Sequence, residues 1–401
     1  MNIGLLTQYY KPEMGAPQNR LFEMLSGLKS LGNNVCVVTG MPNYPTGSIF
    51  PQYKGKFSLV EKIDDIDIKR YWLFASNSKK TIPRLLNMLS FSVLALLGLS
   101  FFKKHRIDYL IVESPPLLLC ISAWLISKLT KAKLVTNVSD LWPLSAKELG
   151  VLSEKSLVYK ILEIIERFIY KKSFICMGQS EQITEYIRTK TNSDVYLFRN
   201  GVDPKRFINV NNFNINREKF VIVYAGLLGY AQGIFSICKN INFQELGVEF
   251  HIYGAGGEQS QIEEFIQHNS ENGIFYHGKV SREEIPRILH TANATLIPLV
   301  KVIFGAVPSK IYESMAAGVP ILFSGGGEGQ KIITDNRLGL CSPNGDYDAM
   351  KDNILFMVHN PQDMELIKQN CLRCASEKFN RPKQIQFLND FLLKKLNLLT
   401  N

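Results

Sequence analysis

Histidine is scarce in this chain: six in 401 residues, with only His105 in the first half. An imidazole base in that half is therefore disfavoured. The cysteines, at positions 36, 120, 176, 238, 341, 371 and 374, are seven in number and mostly lie in apolar stretches. An odd count in such surroundings fits reduced thiols in a cytosol better than a disulfide framework. Cys371 and Cys374 form a lone C-x-x-C in a helical run, without a second pair or a histidine at metal spacing, and read as two helix thiols. A dinucleotide fingerprint is missing as well. The loop QYYKPEMGAPQNR holds one glycine, Gly15, and neither GAGGEQ at 254–259 nor GGGEGQ at 325–330 has the G-x-G-x-x-G spacing. That disfavours a nicotinamide or flavin dehydrogenase, and the absence of a P-loop disfavours an ordinary NTPase. The opening residues MNIGLLTQYY carry no basic leader or cleavage site and read as a first strand, so no signal peptide is expected.

What is present describes an α/β protein of two domains. A single core stops growing near 250–300 residues, so 401 residues predict two. The composition is ordinary for a globular chain, at 46% hydrophobic and 20% charged residues. A formal charge of +10 favours an anionic partner. Its spread along the chain argues against a dedicated nucleic-acid domain.

Strand-like runs fall at 2–8, 34–39, 107–112, 133–138, 174–177 and 194–197, with helix-like runs between them at 17–31, 116–130 and 154–172. Pro17 suits a first helical turn, with Leu21, Leu25, Leu28 and Leu31 as the buried stripe. The Asn-rich stretch 204–217 reads as a linker between a domain at 1–203 and another at 218–380. The alternation then restarts in FVIVYAG, VEFHIYG, GIFYHG, ATLIPL, VPILFSG and LGLCSP. Residues 381–401 form a terminal helix expected to pack back toward the first domain. Alternating βα units predict two doubly wound, Rossmann-like parallel sheets, whose ligands bind at the carboxyl ends of the strands. Both edges are rich in Gly, Pro and polar residues, which suggests a cleft between the domains.

Residues 85–102 hold 18 positions without a charge, followed by KKHR at 103–106. At ~1.5 Å per residue such a helix just reaches across a bilayer. A span would split strands that belong to one sheet, so the segment reads as either a buried or half-buried helix or an interfacial one. Its basic flank would favour an anionic cytoplasmic leaflet. The segment 85–106 is accordingly the expected membrane-associating element.

The stretch AVPSKIYESMAAGVPI at 306–321 predicts a helix over 308–317, with Pro308 at its start and Gly318 as the left-handed residue past its end. Ser309 and Lys310 occupy its first turn, where free N–H groups attract anions, and Glu313 shares a face with Ser309. A phosphate on the helix end with a ribose on Glu313 is one reading. A helix cap with a stabilising acid is the other.

PSKIYESMAAGVPI resembles the donor-site helix of the GT-B glycosyltransferases of family 4. The likeness runs in order through YYKPEMGAPQNR, GMPNYPTG, ESPPLL, DLWPLSAKELG, RNGVD, YAGLLGYAQG, IYGAGGE and HGKVSREEIP. PNYPTG, DLWP and PSKIYE together look like a branch that includes N-acetyl-L-fucosamine and fucosyl transferases of O-antigen, capsule and colanic-acid loci. The resemblance implies a GT-B fold with an acceptor-binding first domain and a nucleotide-sugar-binding second one. Glu313 would hold the ribose, and Ser309 and Lys310 the diphosphate. The base would lie against Gly278, Lys279 and Val280. Gly15 would let the first-domain loop approach the diphosphate closely, and Gly226 opens the second domain's equivalent loop. Asp140 of DLWP takes the place of a family His or Asp near the reacting sugar. Catalytic roles thus fall on Asp140, Lys310 and Glu313.

The implied donor is a nucleotide-diphosphate sugar of the UDP type, and the acceptor a polyprenyl-diphosphate-linked saccharide at the inner membrane face. The enzyme would work from the cytoplasm as a peripheral protein, with no nucleic-acid partner. No acidic pair at a strand end is read as a metal site, so neither metal nor other cofactor is expected. The family usually retains the anomeric configuration, the leaving diphosphate helping to deprotonate the acceptor. If this enzyme inverts, Asp140 or Glu13 is the base candidate.

The chain departs from the family in three places. Leu227 and Gln232 stand where an Arg and a Lys are common, and Gly305 where a Glu is. Lys301 and Lys310 are then the nearest cations for a diphosphate leaving group, which needs such stabilisation. Two alternatives share the architecture: a nucleotide-sugar 2-epimerase, disfavoured by the few His and carboxylates in the loops, and a donor-binding subunit without activity.

Overall fold

Buried runs of Val, Ile and Leu, such as NIGLL, YLIVES and FVIVYA, can be satisfied only between two layers of helices, and they form two sheets. The structure, a computed structural model, describes residues 1–78, 81–208 and 219–398. The chain divides into two compact units: Met1–Arg199 with the chain from Pro382 onward, and Asn200–Arg381.

The first unit contains β1 (Asn2–Leu6), β2 (Asn34–Gly40), β3 (Ser58–Ile63), β4 (Ile66–Tyr71), β5 (Tyr109–Ser114), β6 (Lys133–Val138), β7 (Ile175–Gly178) and β8 (Asp194–Leu197). Their order is β3-β4-β2-β1-β5-β6-β7-β8, parallel except where β3 meets β4. The second unit contains β9 (Phe220–Ala225), β10 (Val248–Tyr253), β11 (Ile274–Tyr276), β12 (Ala294–Pro298), β13 (Ile321–Ser324) and β14 (Gly339–Ser342). They lie in the all-parallel order β11-β10-β9-β12-β13-β14. All six strands expected in the second half are present.

The β3–β4 hairpin is absent from the sequence reading. Its turn is Asp64-Asp65, both at positive φ, the two-residue geometry that suits a right-twisted hairpin. Helix Ala16–Ser30 has Pro17 in its first turn, and its buried stripe is Leu21, Met24, Leu25 and Leu28. Leu31 departs from the expected stripe. It lies just past the helix and is exposed, because the chain turns away there.

Of the stretch expected as a linker, Lys205–Ile208 form one helical turn, and 209–217 lie outside the described residues. Helix Arg381–Asn397 lies with the first unit. Its Ile385, Leu388 and Leu392 are buried among Leu21, Met24, Leu25 and Leu28. Tyr109 donates to the Leu392 carbonyl at 2.9 Å, and Asn33 to the Asn389 side chain at 2.7 Å.

The apolar segment is the crossover from β4 to β5. It forms helices Thr81–Leu94 and Leu99–Lys104, joined by a tighter turn at Ala95–Gly98. Phe91, Ala95 and Phe102 are buried against the sheet, while Leu85, Leu89, Val93 and Leu97 are exposed.

The terminal helix supplies a clear test. Leu388→Ala empties a fully buried position, which costs roughly 2–5 kcal/mol. The three tryptophans, Trp72, Trp124 and Trp142, all belong to the first unit, so their fluorescence follows its melting alone. A fall in midpoint on the order of 10 °C is expected. An unchanged midpoint would mean that the helix does not stabilise that unit.

Candidate functional site

Each sheet has one point where successive connections leave in opposite directions, between β1 and β5 in the first and between β9 and β12 in the second. A crevice opens there at the carboxyl ends of the strands. In the second unit it is a cleft of about 230 Å³ lined by Tyr224, Gln232, Pro298, Lys301, Ser309 and Lys310, among others.

The expected donor helix forms its wall. It runs Lys310–Ala317, two residues later than predicted, because Pro308 and Ser309 make the turn that precedes it. Gly318 ends it at φ 66°, as expected. The Ser309 side chain caps nothing. Among the described residues, the backbone N–H groups of Ser309 and Lys310 also find no acceptor. Unfilled donors at a helix start are what an anionic ligand needs.

The Lys310 ammonium lies 5.2 Å from the Tyr224 ring centroid, a cation–π contact. Burial there pulls its pKa below the ordinary lysine value, and the Glu313 carboxylate opposes that shift. An anion arriving beside it would favour the charged form. Gly226 is the reason the lysine can lie there. A Cβ at Gly226, which has φ 154°, would sit 2.3 Å from Lys310 Cε and 2.6 Å from Nζ. Gly254 is equally constrained, since a Cβ would stand 1.8 Å from the Gly226 carbonyl oxygen. The Gly226 N–H donates to the Tyr253 carbonyl at 2.8 Å, and the Gly254 N–H to that of Gly278 at 2.7 Å. The ends of β9, β10 and β11 are thereby laced together, with Gly278 at φ 74° and open space beside it. Val280 packs its side chain on the core of the unit.

In the first unit, Gly15 has extended backbone that any residue adopts, and the nearest atoms a Cβ there would meet belong to the Gln18 side chain. Asp140 lies in the loop after β6. Burial raises its pKa above the usual carboxylate range, and Arg20 pulls it back. Glu13, the other base candidate, is buried. It accepts from the backbone N–H groups of Asn43 and Tyr44, both at 2.8 Å, and of Tyr10 at 3.0 Å. It therefore ties the loop after β1 to the loop after β2. Two D-x-D spacings also occupy structural places. Asp346 accepts from Ala349 N–H at 2.9 Å as a helix cap, and Asp65 belongs to the hairpin turn whose Asp67 pairs with Lys62 and His105.

Both units match models of known families. The second matches the group 1 glycosyl transferases over residues 205–373, and the first a glycosyl transferase 4-like domain over 15–198. The chain belongs to this family of glycosyltransferases. WcaI of Escherichia coli K12, named as a candidate colanic acid biosynthesis glycosyl transferase, is 23% identical over 327 residues, covering 77% of this chain and 79% of WcaI. A sucrose-phosphate synthase from Thermosynechococcus elongatus superposes with TM-score 0.77 at 16% identity, covering 99% of each chain. Anabaena HepE, solved in complex with UDP, superposes with TM-score 0.73 at 13% identity, covering 98% of this chain and all of HepE. The fold shared with these enzymes is GT-B.

The glycosyltransferase thus brings Gly226, Ser309, Lys310 and Glu313 into one neighbourhood, with Gly278 one loop away. Its departures from the family pattern are visible there. Leu227 is exposed, Gln232 lines the cleft with its amide oxygen buried and unpartnered, and Lys301 lines the same cleft as Lys310. Sequence reasoning missed Tyr224 under the ammonium and Arg20 beside Asp140. No local pattern marks either one, because both act through contacts distant in the chain.

The Glu13 brace has a pH signature. Burial pushes its pKa from an ordinary 4.5 up to about 7 against the pull of its backbone donors. Between those values the folded protein holds a proton that the unfolded chain releases. The resulting stabilisation is complete below pH 4.5 and is lost as pH rises through about 7. The melting midpoint of wild type relative to Glu13→Gln, followed by tryptophan fluorescence, should fall across that window. A pH-independent difference would refute the assignment.

Proposed function

We propose that this glycosyltransferase moves a sugar from a nucleotide-diphosphate donor of the UDP type to a polyprenyl-diphosphate-linked saccharide during surface-polysaccharide synthesis. The observation that carries the donor half is the Lys310–Ala317 helix at the β9/β12 crevice, its first N–H groups unfilled and Lys310 and Glu313 on its opening turns. The diphosphate would take the helix start with Lys310 and Lys301, and the ribose hydroxyls would take Glu313. The names of WcaI, for colanic acid, and of the HepE complex, for UDP, support the polysaccharide and nucleotide parts. Val300, Val302 and Phe304 stand exposed on the loop before the helix. With Gly305 in place of a Glu, that apolar loop suits a sugar poor in hydroxyls, such as N-acetyl-L-fucosamine or another deoxy or amino sugar.

In the retaining reading the leaving diphosphate deprotonates the acceptor, Lys310 and the helix end stabilise the charge that develops, and Asp140 orients or stabilises the sugar. The reaction would use no metal. Calorimetry with UDP tests the donor site. Glu313→Ala should weaken binding ten- to a hundredfold, as expected for charged hydrogen bonds worth about 1.5–3 kcal/mol. Unchanged affinity would sink the assignment.

The lipid-linked acceptor implies a peripheral position on the inner membrane face, and the first unit carries a surface suited to it. Three helices cover one face of its sheet: the β4–β5 crossover, Leu117–Thr130 and Leu157–Lys172. They are neighbours, since Ser122 donates to the Ser92 carbonyl at 2.6 Å and Trp124 meets Phe168 edge-on at 5.0 Å. Each leaves aliphatic side chains exposed, including Leu89 and Leu97, Leu125 and Leu129, and Ile161 and Ile164. Exposed Lys103, Lys104, Lys128, Lys171 and Lys172 lie at their carboxyl ends, complementary to anionic headgroups. Wild type should float with phosphatidylglycerol vesicles and much less with phosphatidylcholine. Leu89→Asp/Ile164→Asp should remain in the bottom fraction. If the double variant floats as wild type does, the surface is not the membrane contact.

A further inference from the structure

At the β1/β5 reversal of the first unit lies a buried polar cluster that the donor and membrane readings leave unused. Arg20 projects from helix Ala16–Ser30, which follows β1, and Glu113 stands near the end of β5. Their side chains are about 6% and 7% exposed, and Arg20 Nη2 donates to Glu113 Oε1 at 2.5 Å. The same nitrogen donates to the Ser139 hydroxyl, which itself donates to Glu113 Oε1. Arg20 Nη1 donates to Gln179 Oε1, and Gln179 Nε2 donates to the Ser139 carbonyl. Asn137 donates to Glu113 Oε2 at 2.5 Å, and the Ser139 N–H donates to the Ser114 carbonyl at 2.8 Å.

Such an arrangement is not what stability alone favours. A buried ion pair can be replaced by packed apolar residues at little cost or with gain. Here the pair is furnished with donors from β6 and from the loop after β7, and Arg20, Glu113 and Gln179 converge on one residue, Ser139. Its hydroxyl, carbonyl and N–H are each held. The next residue is Asp140, whose carboxyl makes no hydrogen bond among the described residues. Two charged groups couple to that carboxyl: the Arg20 guanidinium from the helix opposes the upward push of burial on it, and the carboxyl's own charge in turn pushes Glu113 of β5 upward. One guanidinium therefore serves two carboxylates, directly for Glu113 and through space for Asp140.

We infer that Arg20 and Glu113 are positioning residues that fix the Ser139–Asp140 turn and set the charge carried by the Asp140 carboxyl. The guanidinium holds the backbone that aims Asp140, and it supplies a positive field that opposes the upward push of burial on the Asp140 carboxyl. Glu113 limits that field by drawing on the same cation. The consequence for transfer rests on the reading of Asp140 as the carboxylate beside the reacting sugar. The electrostatic relation itself does not.

The test is a carbon-13 NMR titration of the full-length protein labelled at the aspartate carboxyls, with the Asp140 signal identified by its loss in Asp140→Asn. Glu113→Gln keeps the shape of the cluster and frees the guanidinium, so the Asp140 midpoint should fall. Arg20→Met removes the cation, so the midpoint should rise, each by on the order of one pH unit. Arg20→Lys keeps the charge and should restore most of the wild-type midpoint. Opposite shifts in the two variants are something a general loosening of the loop would not produce. Equal midpoints in wild type and Glu113→Gln, or shifts of the same sign in both variants, would overturn the inference. Should Arg20→Met fail to fold, the isosteric Glu113→Gln decides alone. Shifts as expected combined with undiminished transfer by Asp140→Asn would overturn the catalytic reading of Asp140 and leave the electrostatic relation standing.

Discussion

Parallel pairing of β1 with β5 and of β9 with β12 is the constraint on which both sites depend. A parallel sheet puts every strand's carboxyl end on one edge. Where successive crossovers depart in opposite directions, the loops must separate and leave a crevice. Tyr224 and Pro298 flank that crevice in the second unit. In the first, Arg20 and Glu113 meet across it. Neither placement is a property of a single loop.

The crevices share an economy of charge. Each places ionisable groups where solvent is scarce and compensates them incompletely. Lys310 has an aromatic face and a carboxylate one turn away, and its pKa is drawn down. Asp140 and Glu113 compete for Arg20, and both are pushed above the usual carboxylate range by burial. Glu13 has three backbone donors and the same upward push. Incomplete compensation costs stability in the empty protein. It also leaves room for a charged ligand to complete the set. The glycines serve this end by sparing volume: Gly226 and Gly254 allow Lys310 and the neighbouring backbone to lie where a Cβ would collide.

The first unit shows how one segment can present two unlike faces. Residues of the β4–β5 crossover alternate between a buried face, with Phe91 and Phe102, and an exposed aliphatic face. From sequence the segment reads as a buried or half-buried helix or as an interfacial one. The sheet on one side decides that only half of it is covered. The two neighbouring helices then widen that half into a surface.

The sequence by itself determined the alternation of strands and helices, the six strands of the second sheet, the start at Pro17, the stop at Gly318 and the family. These depend on local pattern and on backbone geometry within a few residues. It also named Gly226, Ser309, Lys310 and Glu313, because their motif is contiguous or resembles one known. The β3–β4 hairpin escaped notice because its Asp-Asp turn lacks the usual glycine. Leu31 was misplaced because a regular period cannot show where a helix stops. Only the tertiary structure decided that Lys310 crosses Gly226, that Glu13 is a brace, and that Arg20 meets Glu113, 93 residues away. Such contacts arise from strand order and crossover direction, so no local periodicity records them.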